Sequence, residues 1–309
     1  MSASKSWILF SLSLAPFAFC LKASAAEIDI SHPSPAPLLA PIILGPGNLN
    51  LGLNHSPRTQ NWAGLNPKML SPEQKIRLKK VLSLAQTIPT GRKTLRKMDE
   101  LARQKGSYPV TLSSLGKNLG QYDYATGTLQ LNHQFLHEDL RLSVSILIHE
   151  MTHILQHSQE IPAESLEMEF EAYALHMKAL KELKMPVEKW DPFSREAFKL
   201  LKRNPREYAD WMAEQHPGKF FLAKNNAGEI VDFQEEELDR KDQQIEHLRD
   251  QIKASPKNSA LKKKMRRAQV ISHWIERDIA LLRSPKALAR YRHFSKRVHL
   301  LLKRISHAL

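Results

Sequence analysis

The chain has 309 residues, 42% of them hydrophobic and 25% charged, enough for a sizeable buried core and room for two domains; global disorder is excluded. Its single cysteine, Cys20, lies in an apolar N-terminal run, so removal of that run leaves no disulfide, thiol nucleophile or thiolate metal site. The net charge of +14 belongs to one end: residues 255–309 hold fifteen Lys and Arg against Glu276 and Asp278 alone.

In chain order, Lys5, the apolar stretch from Trp7 to Leu21 and then Ala23-Ser24-Ala25 read as a secretory signal peptide over residues 1–25. The expected product is an exported chain, periplasmic or secreted. Phe19, immediately before Cys20, is too large for a lipid-attachment signal. No later stretch is apolar enough to span a bilayer, so the mature chain is expected to lack a transmembrane segment. Residues 26–66 are broken repeatedly by proline and glycine, as in Pro33, Pro35, Pro37 and Gly45-Pro46-Gly47, and read as an extended leader or linker, with a pro-segment as the alternative.

A domain is expected over residues 67–224. Ser71-Pro72-Glu73 starts a helix, with serine as cap and proline in the first turn, that Pro89 stops. A second helix is expected from Gly91 to Lys105, ended by Gly106. Tyr108 to Leu112 reads as extended, and Gln121–Tyr124 and Thr128–Asn132 as a hairpin turning at Gly127. The free edge of such a strand can hold an extended peptide by main-chain hydrogen bonds; an ordinary small sheet over the core fits the same pattern.

Next comes His149-Glu150-Met151-Thr152-His153 inside an apolar helical stretch. Residues four apart on a helix lie one above the other, so His149 and His153 share a face. Two imidazoles on adjacent turns are the usual first two ligands of a zinc ion, and Glu150 is placed to take a proton from water on it. Leu140, Val144, Leu147, Ile148, Met151, Ile154 and Leu155 fall on a separate arc, which predicts one buried face and one lining a cleft. His157 continues the histidine face but lies about 12 Å along the axis from His149, too far to share one ion. A further helix is expected from about Pro162 to Leu183, carrying Glu167, Glu169, Glu171, Tyr173 and His176. A carboxylate from it would complete the ligand set, whereas the ordinary reading of these glutamates is a solvated acidic face. His176 reads as a surface histidine, with a role at an oxyanion as the sharper alternative.

His149-Glu150-x-x-His153 followed by Glu169-Phe170-Glu171-Ala172 resembles the gluzincin branch of the zinc metallopeptidases, over roughly Gln121 to Leu183. In that group the third ligand is a glutamate on a later helix with a small residue three positions on. The resemblance therefore implies His149, His153 and Glu169 as ligands of one zinc and Glu150 as general base, with Glu171 as runner-up to Glu169 and Glu167 behind it. Only one of Glu169 and Glu171 can face the ion, since two positions are roughly 200° apart round a helix. The chain departs from the pattern at Tyr173, where many gluzincins carry an aspartate that orients a ligand histidine.

Beyond Lys184, helices are expected at about 192–203 and 205–215, with Trp190, Phe193, Phe198, Tyr208 and Trp211 assigned to packing and residues 224–228 to a linker. Residues 229–309 read as a C-terminal charged helical, coiled-coil-like module, acidic in its first helix and basic in the next two. Its charges would complement one another in a hairpin or bundle; the sharper reading is a basic arm on an anionic cell-envelope polymer. Basic residues without interleaved aromatics rank nucleic acid low.

The expected fold is thus α+β, mainly α: a small zincin-like metallopeptidase domain with a short β-hairpin or sheet before the motif helix, plus the C-terminal helical module. The expected function is an exported zinc-dependent hydrolase acting on a peptide or protein substrate. The alternative is a non-catalytic envelope binding or scaffold protein working through its basic helices around a vestigial or structural zinc. A non-peptide amide, such as one in the cell wall, is a third substrate class.

Overall fold

The computed structural model describes residues 62–116, 118–216, 219–221 and 227–308. The expected signal peptide, nearly all of the leader and most of the 224–228 linker lie outside the described residues. The fold is α+β and mainly α, a four-stranded sheet amid long helices.

Strand β1 (Leu65–Asn66) leads to α1 (Pro72–Ala85), whose start has the expected Ser71 cap, made reciprocal by Gln74. The Ser71 hydroxyl accepts from the Gln74 backbone N–H, and the Gln74 side chain accepts from that of Ser71. Pro89 does more than stop α1: it is the first residue of α2 (Pro89–Lys105). The elbow is so tight that a Cβ at Gly91 would lie 2.0 Å from the Ala85 carbonyl oxygen, which only glycine avoids.

Strands β2 (Tyr108–Ser113), β3 (Gly120–Asp123) and β4 (Thr128–Asn132) follow, in the order β1-β2-β4-β3. The expected hairpin is β3–β4, antiparallel with Tyr122 opposite Leu129 and with Gly127 left-handed at φ 64° in the turn. The parallel β1–β2 and β2–β4 pairings carry no local signal and were not anticipated. They leave β3 on the edge, packed along the next helix.

That helix, α3 (Leu140–Ser158), separates two apolar cores. Val144, Leu147, Ile148, Met151 and Ile154 pack with the sheet, α1 and α2, while Leu142 and Ile146 join a larger core on the other side. The larger core contains α4 (Leu166–Glu182), α5 (Pro192–Arg203) and α6 (Pro205–Gln215), and continues into α7 (Ala227–Ala254), α8 (Ser259–Arg283) and α9 (Pro285–Ala308). Helix α4 begins at Leu166 rather than Pro162, because residues 163–164 form a turn and Ser165 bridges to Phe220: Phe220 N–H donates to Glu164 O and Leu166 N–H to Phe220 O. This shift puts Glu167 and Glu169 in the first helical turn, where the helix dipole favours a carboxylate.

The C-terminal helices pack on this frame, and residues Gln60–Leu309 form one compact unit. α7 and α8 pair as a hairpin, with Ser272 donating to Asp242 and Arg283 pairing with Glu235. Asp278 of α8 accepts from the Ala163 N–H, and Tyr291 of α9 donates to the Glu160 carbonyl, so both helices grip the loop joining α3 to α4. Among the described residues, no helix is long and apolar enough to cross a membrane.

Candidate metal centre

The structure brings together the two histidines and one of the three glutamates. Nε2 of His149 and Nε2 of His153 lie 3.1 Å apart, and Glu169 Oε2 lies 3.7 and 3.6 Å from them. All three residues are buried, and the group could hold a metal ion. Two imidazole nitrogens and a carboxylate oxygen converging on one point are a donor set that a single metal ion can satisfy together.

The other glutamates are spent elsewhere. Glu167, fully buried, accepts from the hydroxyls of Ser165 and of Ser295 on α9. Glu171 accepts from Gln156 and from Arg297 of α9. The acidic run on α4 is therefore not a solvated face: each carboxylate has its own partner. The carboxylate two positions from Glu169 points away from the ion site, as helical geometry requires.

Electrostatics separates Glu169 from Glu150. Burial would raise the Glu169 carboxyl, but the Lys219 ammonium, 3.2 Å from Oε1, and the two imidazoles hold it well below the usual carboxylate range. Burial opposes charge on His153, yet Glu169 more than offsets it and raises that imidazole, while burial and the His153 charge push His149 well below its ordinary value. Burial raises Glu150 to about 7. The Tyr122 backbone N–H on the edge strand β3 works against that rise by favouring the carboxylate. A Cβ at Gly120 would lie 2.9 Å from Glu150 Cγ and 3.1 Å from Oε1; the absent side chain makes that space.

The two histidines differ in what holds their far side. His153 Nδ1 lies 2.9 Å from Gln156 Oε1, whereas His149 Nδ1 is buried with no hydrogen-bond partner. Tyr173, at the position where the gluzincin pattern has aspartate, instead sets its ring edge-on to His149, centroids 4.5 Å apart. His157 stands outside the group and shares a hydrogen bond between its Nδ1 and the Tyr122 hydroxyl at 2.8 Å.

Two expectations are corrected. The histidine face of α3 does not line an open cleft: His149, Glu150 and His153 are each less than a tenth exposed, because α4 and β3 cover them. His176 is not a surface residue; it is buried against Ser145 and Ser194, with Asp191 3.6 Å away.

Sequence reasoning missed Gln156, Tyr124 and Lys219. Gln156 sits three residues after His153, a spacing that could have shown it. Tyr124 is half-buried with its hydroxyl shielded and unpartnered, and its pKa is driven well above normal by desolvation, then by Glu169 and Glu150. Lys219 arrives from a distant loop, anchored on the Ala163 carbonyl, with no local signal. No protein-family model, curated protein or solved structure matches the chain.

Proposed function

We propose that this chain is an exported, zinc-dependent, gluzincin-like metallopeptidase that hydrolyses peptide bonds. The observation that carries the reading is the convergence of His149, His153 and Glu169 on one point with Glu150 one residue along the same helix. Two imidazoles and a carboxylate, without thiolate, suit zinc in a catalytic setting, which needs three protein ligands and an open fourth position.

Bound zinc supplies a Lewis acid that polarises a carbonyl and makes water acidic enough to attack near neutral pH. The chain's residues do the rest. Glu150 takes the proton of the attacking water at its carboxylate and passes it to the departing amine nitrogen. The bare Cα of Gly120 leaves the space in which that carboxylate stands. The outer edge of β3 offers main-chain groups to an extended peptide beside Glu150, and the buried Tyr124 hydroxyl is free to donate to an oxygen that gains charge.

The burial of the motif favours a second reading, in which a closed site holds a structural ion and the exposed basic residues of α8 and α9 bind an anionic envelope polymer. Turnover of an unstructured protein substrate by wild type and Glu150→Gln separates the two. The enzyme reading predicts a Gln variant that keeps its zinc and loses turnover. Equal cleavage by both proteins would remove Glu150 from the mechanism, and no cleavage by wild type across a broad substrate panel would favour the structural ion.

A further inference from the structure

The metal site extends into the C-terminal helix. Gln156 is almost wholly buried and makes three contacts: its Nε2 donates to the Met168 carbonyl and to Glu171 Oε2, both at 3.0 Å, and its Oε1 faces His153 Nδ1 at 2.9 Å. Two acceptors on one side fix the amide's orientation, because only an NH2 group satisfies both. The oxygen must then face His153, so Nδ1 carries the ring proton and Nε2 is left with a free lone pair toward Glu169. Glu171 is in turn clasped by Arg297 of α9, whose Nη2 lies 3.0 and 3.3 Å from its two oxygens.

We infer that Arg297 is a positioning residue for the metal: through Glu171 and Gln156 it fixes the tautomer and aim of His153, making α9 a working part of the centre. The inference rests on the reading that His149, His153 and Glu169 hold an ion. An imidazole with a fixed outer hydrogen bond is a better ligand than a free one, and such outer partners are typically worth about 10–100-fold in metal affinity. Arg297 is well placed to be tested because its side chain is 42% exposed, so its loss removes little of the core. The direction of its effect is diagnostic as well. Deleting a nearby positive charge alone would tighten binding of a cation, whereas loosening His153 weakens it.

The test is competition for zinc between the full chain and a chromophoric chelator, for wild type, Gln156→Leu, Arg297→Ala and the double variant, with thermal melts of the metal-free proteins alongside. Gln156→Leu is expected to weaken zinc binding by about 10–100-fold, and Arg297→Ala by about threefold or more at an unchanged melting temperature. In the double variant the loss should equal that of Gln156→Leu alone within about twofold, because both residues act along one path. Unchanged or tighter binding by Arg297→Ala, or losses that multiply in the double variant, would overturn the relay while leaving the metal site standing. A wild type that takes up no zinc would instead remove the site itself, and the relay with it.

Discussion

Helices α3 and α4 supply the same centre by different logic. On α3 the candidate site residues follow from spacing alone: His149, Glu150 and His153 lie within five positions, and the helix that carries them is marked by its own apolar pattern. On α4, Glu167, Glu169 and Glu171 look interchangeable in sequence, and only tertiary partners distinguish them. Glu167 is tied to Ser295, Glu169 to the histidines and Lys219, and Glu171 to Gln156 and Arg297. Periodicity tells which residues share a face. It does not tell what waits there.

The comparison can be broken most sharply on α3. Gly120→Ala places a methyl group where Glu150 stands, and an ångström of displacement at a proton-transferring group costs about 100-fold in rate. Turnover should fall by about that factor while zinc content stays at the wild-type level. Unchanged turnover would mean that Glu150 does not work from the position seen here.

On α4 the matching test is stability. Glu167→Ala strands two buried serine hydroxyls and should lower unfolding free energy by about 1–3 kcal/mol in urea melts without affecting zinc affinity. A zinc defect in this variant would show that the glutamates are not divided as described.

A smaller effect sharpens the contrast with His157, which continues the histidine face without joining the site. Burial, then Arg277 and Lys105, pushes its pKa from 6.5 down to about 4. The folded state therefore binds fewer protons than the unfolded chain between these values. Its contribution to stability is fully present above about pH 6.5 and lost as pH falls toward 4. His157 is partly exposed, so the swing should be on the order of 1 kcal/mol, and His157→Gln should flatten the stability profile over that window. A parallel profile for the variant would contradict this account.

The smallest effect belongs to Tyr173. Its contact with His149 is made by the ring, so Tyr173→Phe should change zinc affinity by less than about twofold; the conserved ring keeps the packing. A larger loss would give the hydroxyl a role that the ring contact does not.

Much of this was legible before the fold. The Ser71 cap, the turn at Gly127 and the span of α3 have local or helical signatures, and the glutamate favoured in sequence, Glu169, is the one that stands beside the two histidines. What escaped is long-range. Lys219 reaches Glu169 from fifty positions away, and Arg297 reaches Glu171 from more than twice that distance in sequence. The start of α4 moved because a turn at 163–164 and the bridge from Ser165 to Phe220 claimed those residues, which no helix propensity anticipates. The cleft expected beside the histidines was filled by α4 and β3 for a similar reason: an amphipathic pattern shows what one face avoids, not what its neighbours bring.

The most direct test of the central claim is zinc content by elemental analysis of purified wild type, His153→Ala, Glu169→Ala and Glu167→Ala after saturation and removal of loose metal. The account predicts about one zinc per chain in wild type and Glu167→Ala, and none in the other two variants. A wild type without zinc, or a Glu169→Ala protein that retains it, would contradict the assignment of His149, His153 and Glu169 as the metal-holding group.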